Sequence, residues 1–330
     1  MAHRIEPYQY TIQRPVSCCG VGLHTGRTVN LTINPAPANT GILFLRSDIE
    51  SRPVIPARVE RVVDTTLATT IGEGLHTVST TEHLLAALRG CGVDNAVIDL
   101  DSHEAPIMDG SAGPFVRLLK TAGLRQQHSL RKMLRITRPI TFAAGDKAMR
   151  IEPYDGYKVS ARIQFDNAVI SEQRYSVEVT PERFSREIAR ARTFGFVEQV
   201  EQLWQNGLAL GGTLDNVIAI HWNRHSILNE DGLRFDDEFI RHKVLDIIGD
   251  LALLGSPVLG HVIADRSGHE LHRAFMQTII DSPQSWEYVT FKQRGASLAR
   301  PEAQPVQGAT LAPFFAPAGE AMAGGPACAA

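Results

Sequence analysis

The chain has 330 residues, enough for two domains of ordinary size. Its formal net charge of −3 argues against a general nucleic-acid binder, which carries a basic excess, and its 43% apolar share is that of a soluble globular protein. No run reaches the roughly 20 apolar residues that cross a bilayer; the nearest candidate, 244–265, is interrupted by Asp250, Pro257 and His261. The opening MAHRIEPYQYTIQRP has no apolar core followed by a small-residue cleavage site, so a cytoplasmic protein without a transmembrane segment is expected. The cysteines, Cys18, Cys19, Cys91 and Cys328, form no C-x-x-C pair. Neither a disulfide framework nor a cysteine zinc site is expected, so any metal must be held by histidine and carboxylate.

Short alternating segments predict strands at 10–12, 28–33 and 42–45, separated by turn clusters such as NPAPANTG at 34–41. A helix is predicted from Ser79 in STTEHLLAALRG. Ser79 stands three residues before Glu82, as in a capping box, and Gly90 and Gly92 end the helix. A strand at 96–100, a loop at Gly110–Ser111 and a helix at 114–122 follow. The polar, basic stretch 125–132 reads as a linker. Beyond it, strands are predicted at 134–142, 149–153 and 158–163, and helices at 181–190 and 237–254. A strand at 258–264, the loop Arg266–Gly268 and a helix at 269–280 complete the order.

Both halves thus run strands, helix, strand, Gly-Ser loop, helix. This order predicts an α+β fold of two related α+β domains, each a sheet layered with helices. The expected division is an N-terminal domain at 1–126, a linker at 127–132 and a C-terminal domain at 133–297. The tail, 298–330, is rich in Ala, Pro and Gly, carries no Lys or Arg after Arg300, and is expected to be disordered.

The predicted helix RHKVLDIIGDLALLG carries His242, Asp246 and Asp250 four residues apart. Four residues on a helix return to within about 40° of the starting direction, so the three share a face and could hold one cation from a rigid base. The same pattern suits an ordinary amphipathic helix with a wet face opposite Val244, Leu245, Ile247, Ile248, Leu251 and Leu254. Leu253 inside the polar sector, and His269 after the next strand, favour the metal. His83 is the third ligand candidate, with Ala86 and Ala87 leaving room for another element. Its other reading is a packed or surface histidine, with Glu82 merely capping the helix.

Several long stretches then occur in order: GVGLHTG at 20–26, PAPANTGI at 35–42, STTEHLLAAL at 79–88 and PIMDGSAGPF at 106–115. They continue as ARTFGF at 191–196, LNEDGLRFDDEFIRHKVLDIIGDL at 228–251 and SGH at 267–269. Together they make the sequence resemble the UDP-3-O-acyl-N-acetylglucosamine deacetylases of Gram-negative bacteria. The resemblance implies a zinc-dependent amidohydrolase that removes the N-acetyl group of an acylated UDP-N-acetylglucosamine, at the committed step of lipid A synthesis.

It further implies one zinc ion on His83, His242 and Asp246, at the domain interface, with the helices packed between the sheets. Glu82 is implied as general base, His269 as the acid protonating the leaving nitrogen, Asp250 as the stabiliser of that imidazolium, and Thr193 as an oxyanion donor. Phe194 resembles a stacking surface for the sugar or nucleotide, and Lys243 a contact to the diphosphate. The acyl chain is implied to lie in an insert at 196–221 that includes Leu203, Trp204, Leu208, Leu210 and Gly211. Ala68 stands where some relatives carry a cysteine that is not a ligand. A monomer acting on a small molecule, with no nucleic-acid partner, completes the expectation. The rivals are a hydrolase for a different amide and a non-catalytic UDP-sugar binding protein.

Overall fold

A computed structural model describes residues 6–291; the tail expected at 298–330 lies outside the described residues. Among them the strands form two large sheets. In the first, Val16–Val21, Thr28–Pro35, Ala96–Leu100, Ile42–Arg46 and Val54–Pro56 lie side by side in that order. Only the pair Ala96–Leu100 and Ile42–Arg46 is parallel. Thr28–Pro35 shows why such segments become strands: Val29, Leu31 and Ile33 alternate onto one face and are buried, while Thr28 and Asn30 stay exposed.

The second sheet repeats the plan. Ile140–Ala144, Lys147–Glu152, Val258–Asp265, Tyr157–Gln164 and Glu172–Glu178 take the same order, with the parallel pair again third and fourth. Met133–Ile136 and Trp286–Val289 extend this sheet to seven strands.

The helices are α1 (Glu82–Gly90), α2 (Gly113–Ala122), α3 (Pro181–Arg183), α4 (Val197–Gln205), α5 (Glu238–Leu251) and α6 (His269–Ile280). α1 and α2 flank the central strand of the first sheet in the chain, as α5 and α6 flank that of the second. The fold is α+β, and the repeat read from element order recurs in strand order and direction. On this ground we propose the division into related N- and C-terminal domains near residues 126–133.

The segment read as a linker is largely strand: Leu124–Leu130 pairs antiparallel with Tyr8–Ile12. Its side chains are mostly exposed, so the apolar alternation by which a strand is recognised is missing. The single strand expected at 134–142 breaks at Pro139, where Thr137 and Arg138 donate their N–H groups to the Ser285 carbonyl. The helix expected at 181–190 is one α-turn capped by Thr180, followed by a wider π-helical turn at Phe184–Ile188. A parallel pair of strands, Phe194–Phe196 with Ile218–Ile220, joined through α4, was not foreseen, being too short to show alternation. Among the described residues no helix is long and apolar enough to cross a membrane.

α1 and α5 pack on each other, and α5 also rests on Tyr157–Gln164 and Glu172–Glu178. α5 therefore has no wet face: His242, Asp246 and Asp250 are 2%, 2% and 1% exposed. The approach of the two helices depends on Gly249. A Cβ there would lie 2.0 Å from the Glu82 carbonyl oxygen, far inside contact distance. Gly249→Ala is expected to push α5 off the first turn of α1 at a cost of about 3 kcal/mol. A lowered thermal midpoint would show it; an unchanged midpoint would mean the contact does not hold the helices together.

Candidate metal centre and acid–base pair

The contact between α1 and α5 brings together side chains far apart in sequence. His83 comes from the first turn of α1, and His242 and Asp246 lie one turn apart on α5. Their ligand atoms all fall within 4.8 Å of one another, in a buried setting. His242 Nε2 is 3.3 Å and His83 Nε2 3.8 Å from Asp246 Oδ1, and the two rings stand edge to face with centroids 4.9 Å apart.

His242 Nδ1 lies 3.1 Å from the Ala191 carbonyl. A carbonyl only accepts, so Nδ1 carries the proton and the Nε2 lone pair faces the group. Burial, with His242 alongside, pushes His83 down to about 3, and burial also lowers His242. Both imidazoles are thus neutral, and their approach to Asp246 is no ion pair. Burial works against charge on Asp246, but the Lys243 ammonium beside it holds it below the usual carboxylate range. Asp246 Oδ1 is nonetheless buried without a hydrogen-bond partner. A buried anionic oxygen without a partner is costly. Two neutral imidazoles and one free carboxylate oxygen form the donor set that a dication such as zinc completes, and three protein ligands leave a position open.

Beside this group lies an acid–base pair. Glu82 opens α1, and its Oε2 accepts from the Thr69 N–H at 3.1 Å. This corrects the capping box: Ser79 Oγ instead accepts from Thr70 Oγ1 at 2.9 Å, and Glu82 reaches the loop before the helix. Its other oxygen, Oε1, is 3.9 Å from His269 Nε2. Burial raises Glu82 to about 7. Burial opposes charge on His269, but Asp250, whose Oδ2 accepts from His269 Nδ1 at 2.7 Å, outweighs it and lifts the imidazole to about 9. Asp250 itself stays ionised despite burial, because His269 holds its pKa down. A carboxyl and an imidazole displaced upward by opposite causes can serve as base and acid side by side.

The sequence model of the UDP-3-O-acyl N-acetylglycosamine deacetylase family matches residues 9–281. The chain belongs to this family. The UDP-3-O-acyl-N-acetylglucosamine deacetylase of Oleidesulfovibrio alaskensis is 50% identical over 272 residues, covering 82% of this chain and 88% of that one. The enzyme of the same name from Idiomarina loihiensis is 48% identical over 292 residues, covering 88% and 95%. That from Acidithiobacillus ferrooxidans is 46% identical over 290 residues, covering 87% and 95%.

The other site residues expected of this deacetylase-family chain lie as follows. Phe194 stands edge-on to His242, centroids 6.3 Å apart, and to Phe239 at 5.1 Å. Thr193 is fixed by backbone bonds to Gly110 and Ile218, two residues from the Ala191 carbonyl that binds His242. Lys243 Nζ bonds Asp246 Oδ2 at 2.6 Å, so its ammonium already steadies the candidate ligand carboxylate. In the insert, Leu203 and Leu208 are half-buried, while Trp204 and Leu210 are 55% and 52% exposed. Gly211 donates to the Leu23 carbonyl at 2.9 Å, and a Cβ there would lie 2.2 Å from the Gly22 oxygen, so the insert is laid on the GVGLHTG loop.

Two site residues escaped the sequence reading. Thr69 binds Glu82 through its N–H and Asp250 through its hydroxyl, at 2.6 Å for the latter. It lies in a loop where no spacing marks it. His272 shares Asp250 with His269; here the three-residue spacing from His269 on a predicted helix was the available signal.

Proposed function

We propose that the protein is a zinc-dependent deacetylase that hydrolyses the N-acetyl group of UDP-3-O-acyl-N-acetylglucosamine to the free amine and acetate, the committed step of lipid A synthesis. What carries the reading is the unpartnered Asp246 Oδ1 between two neutral imidazoles, with Glu82 and His269 alongside. Membership of the family supports it.

Zinc held by His83, His242 and Asp246 would supply a Lewis acid and a water of lowered pKa. The chain's own groups do the rest. Glu82, as carboxylate, takes a proton from the attacking water. The His242 Nδ1 bond to Ala191 keeps that ring aimed at the site. Thr193 donates to the carbonyl oxygen as negative charge develops there. His269, protonated and held through Nδ1 by Asp250, gives the Nε2 proton to the departing nitrogen as the C–N bond breaks. Phe194, against His242, shields the site from bulk water and offers a face to the sugar. Lys243, partly exposed beside Asp246, meets the diphosphate. The apolar insert with Leu203, Leu208 and Gly211 receives the acyl chain, and the exposed Trp204 and Leu210 support an apolar ligand there. A cytoplasmic monomer with a small-molecule substrate and no nucleic-acid partner belongs to the same proposal.

The test is acetate release by the zinc-loaded protein from acylated and non-acylated UDP-N-acetylglucosamine. The acylated compound is expected to react about a hundredfold faster or more, since binding energy from the remote chain is realised at the reacting centre. Chelation should abolish turnover and zinc restore it. Equal rates on the two substrates would point to a different amide, and tight binding without acetate release to a non-catalytic binding protein.

A further inference from the structure

Asp250 serves two imidazoles through one oxygen. Oδ2 lies 2.7 Å from His269 Nδ1 and 2.6 Å from His272 Nδ1. The two histidines are three residues apart at the start of α6, so both rings leave the same helix face toward α5. The His272 ring is fully buried, and its far nitrogen, Nε2, stands 2.8 Å from Ser267 Oγ. Burial keeps His272 below its ordinary pKa, so the ring is neutral. With its proton on Nδ1 for the carboxylate, Nε2 accepts from the Ser267 hydroxyl. Ser267 precedes Gly268, the extended residue from which α6 and His269 begin. A single ring therefore bridges the Asp250 carboxylate and the loop that carries His269.

We infer that His272 is a positioning residue: Ser267 sets its tautomer, and its Nδ1–H holds the Asp250 oxygen against which His269 is set when Nε2 donates to the leaving nitrogen. The inference rests on the deacetylase reading. The bridge has an electrical consequence too. The His272 N–H draws on the same oxygen that holds the His269 proton, and so restrains the basicity of His269. The charged groups facing the pair are Asp250, Asp246 and Lys243 from α5 and Glu82 from α1. The two strands and two short turns packed against α6 bury Ile140, Met149, Ile151, Val59 and Ser285, none of them charged. When His272 is replaced, the Thr69 hydroxyl still donates to Asp250 Oδ1 at 2.6 Å, but Oδ2, the oxygen that holds the His269 proton, loses its second donor and binds that proton more firmly.

The experiment is an NMR titration of the histidine ring nitrogens in the zinc-loaded protein, paired with pH–rate profiles, for wild type, His272→Leu, His272→Asn and His272→Gln. Asn places an amide nitrogen where His272 has Nδ1 and keeps the donor to Asp250. Gln reaches the Ser267 end and loses that donor. In the Leu and Gln variants the His269 midpoint is expected to rise by about half to one pH unit. The basic limb of the rate profile should follow it, kcat should fall about tenfold, and KM should stay within about twofold. The Asn variant should keep the wild-type midpoint and most of kcat. A wild-type midpoint and kcat in folded Leu or Gln protein would overturn the inference, as would an Asn variant as impaired as either; Gln decides the matter if Leu does not fold. The NMR midpoint needs no turnover. A wild type that releases no acetate therefore fails the deacetylase reading alone, while the titration still decides the role of His272.

Discussion

Asp246→Asn protein is expected to bind zinc at least about a hundredfold more weakly than wild type and to lose acetate release with it. Asn copies the shape of Asp but removes the charge that makes the buried oxygen a ligand. Asp246 Oδ1 has no hydrogen-bond partner in the folded protein, and the charge on the carboxylate is sustained from its other side by Lys243. The substitution also strips Lys243 of its carboxylate, 2.6 Å away. Equilibrium dialysis against zinc reads the loss directly. A variant that keeps full zinc and full turnover would remove Asp246 from the ligand set and leave the metal without its anionic donor.

Glu82→Gln should separate base from ligand. The variant is expected to retain zinc, since in the proposed reading His83 and not Glu82 is a ligand, while kcat falls by about a factor of a thousand. Its pH profile carries the sign. Glu82 works deprotonated and, raised by burial to about 7, gives a rate that climbs as pH passes its pKa. His269 works protonated and, raised by Asp250 against burial to about 9, gives a rate that falls as pH passes its own. A bound dication disfavours both protons, so both limbs lie below these values in the loaded enzyme. Gln should erase the rising limb and leave the falling one. A rising limb that survives would belong to another group, and Glu82 would not be the base.

Much of this was legible before any coordinates. The α+β class followed from the order of elements, because Val29, Leu31 and Ile33 alternate plainly and Gly90 and Gly92 mark the end of α1. The candidate ligand set was half legible: His242 and Asp246 sit one helical turn apart, but periodicity could not tell a metal face from a wet one. The difference lies in what covers α5, and that is long-range packing. His83 was already a candidate, but the residues alone could not tell it from a packed or surface histidine, and the resemblance decided. Thr69 was invisible because a loop has no period, and Leu124–Leu130 was misread because an exposed ribbon has no apolar face to betray it.

The matched strand order of the two sheets bears on how such chemistry arises. α1 and α5 occupy equivalent stations in a duplicated plan, yet they have diverged completely in cargo: one brings Glu82 and His83, the other His242, Asp246 and Asp250. Neither copy alone holds both a proton acceptor and a proton donor beside a full set of ligands. Competence is therefore a property of the tandem: each half brings a part of the candidate centre that is inert without the other.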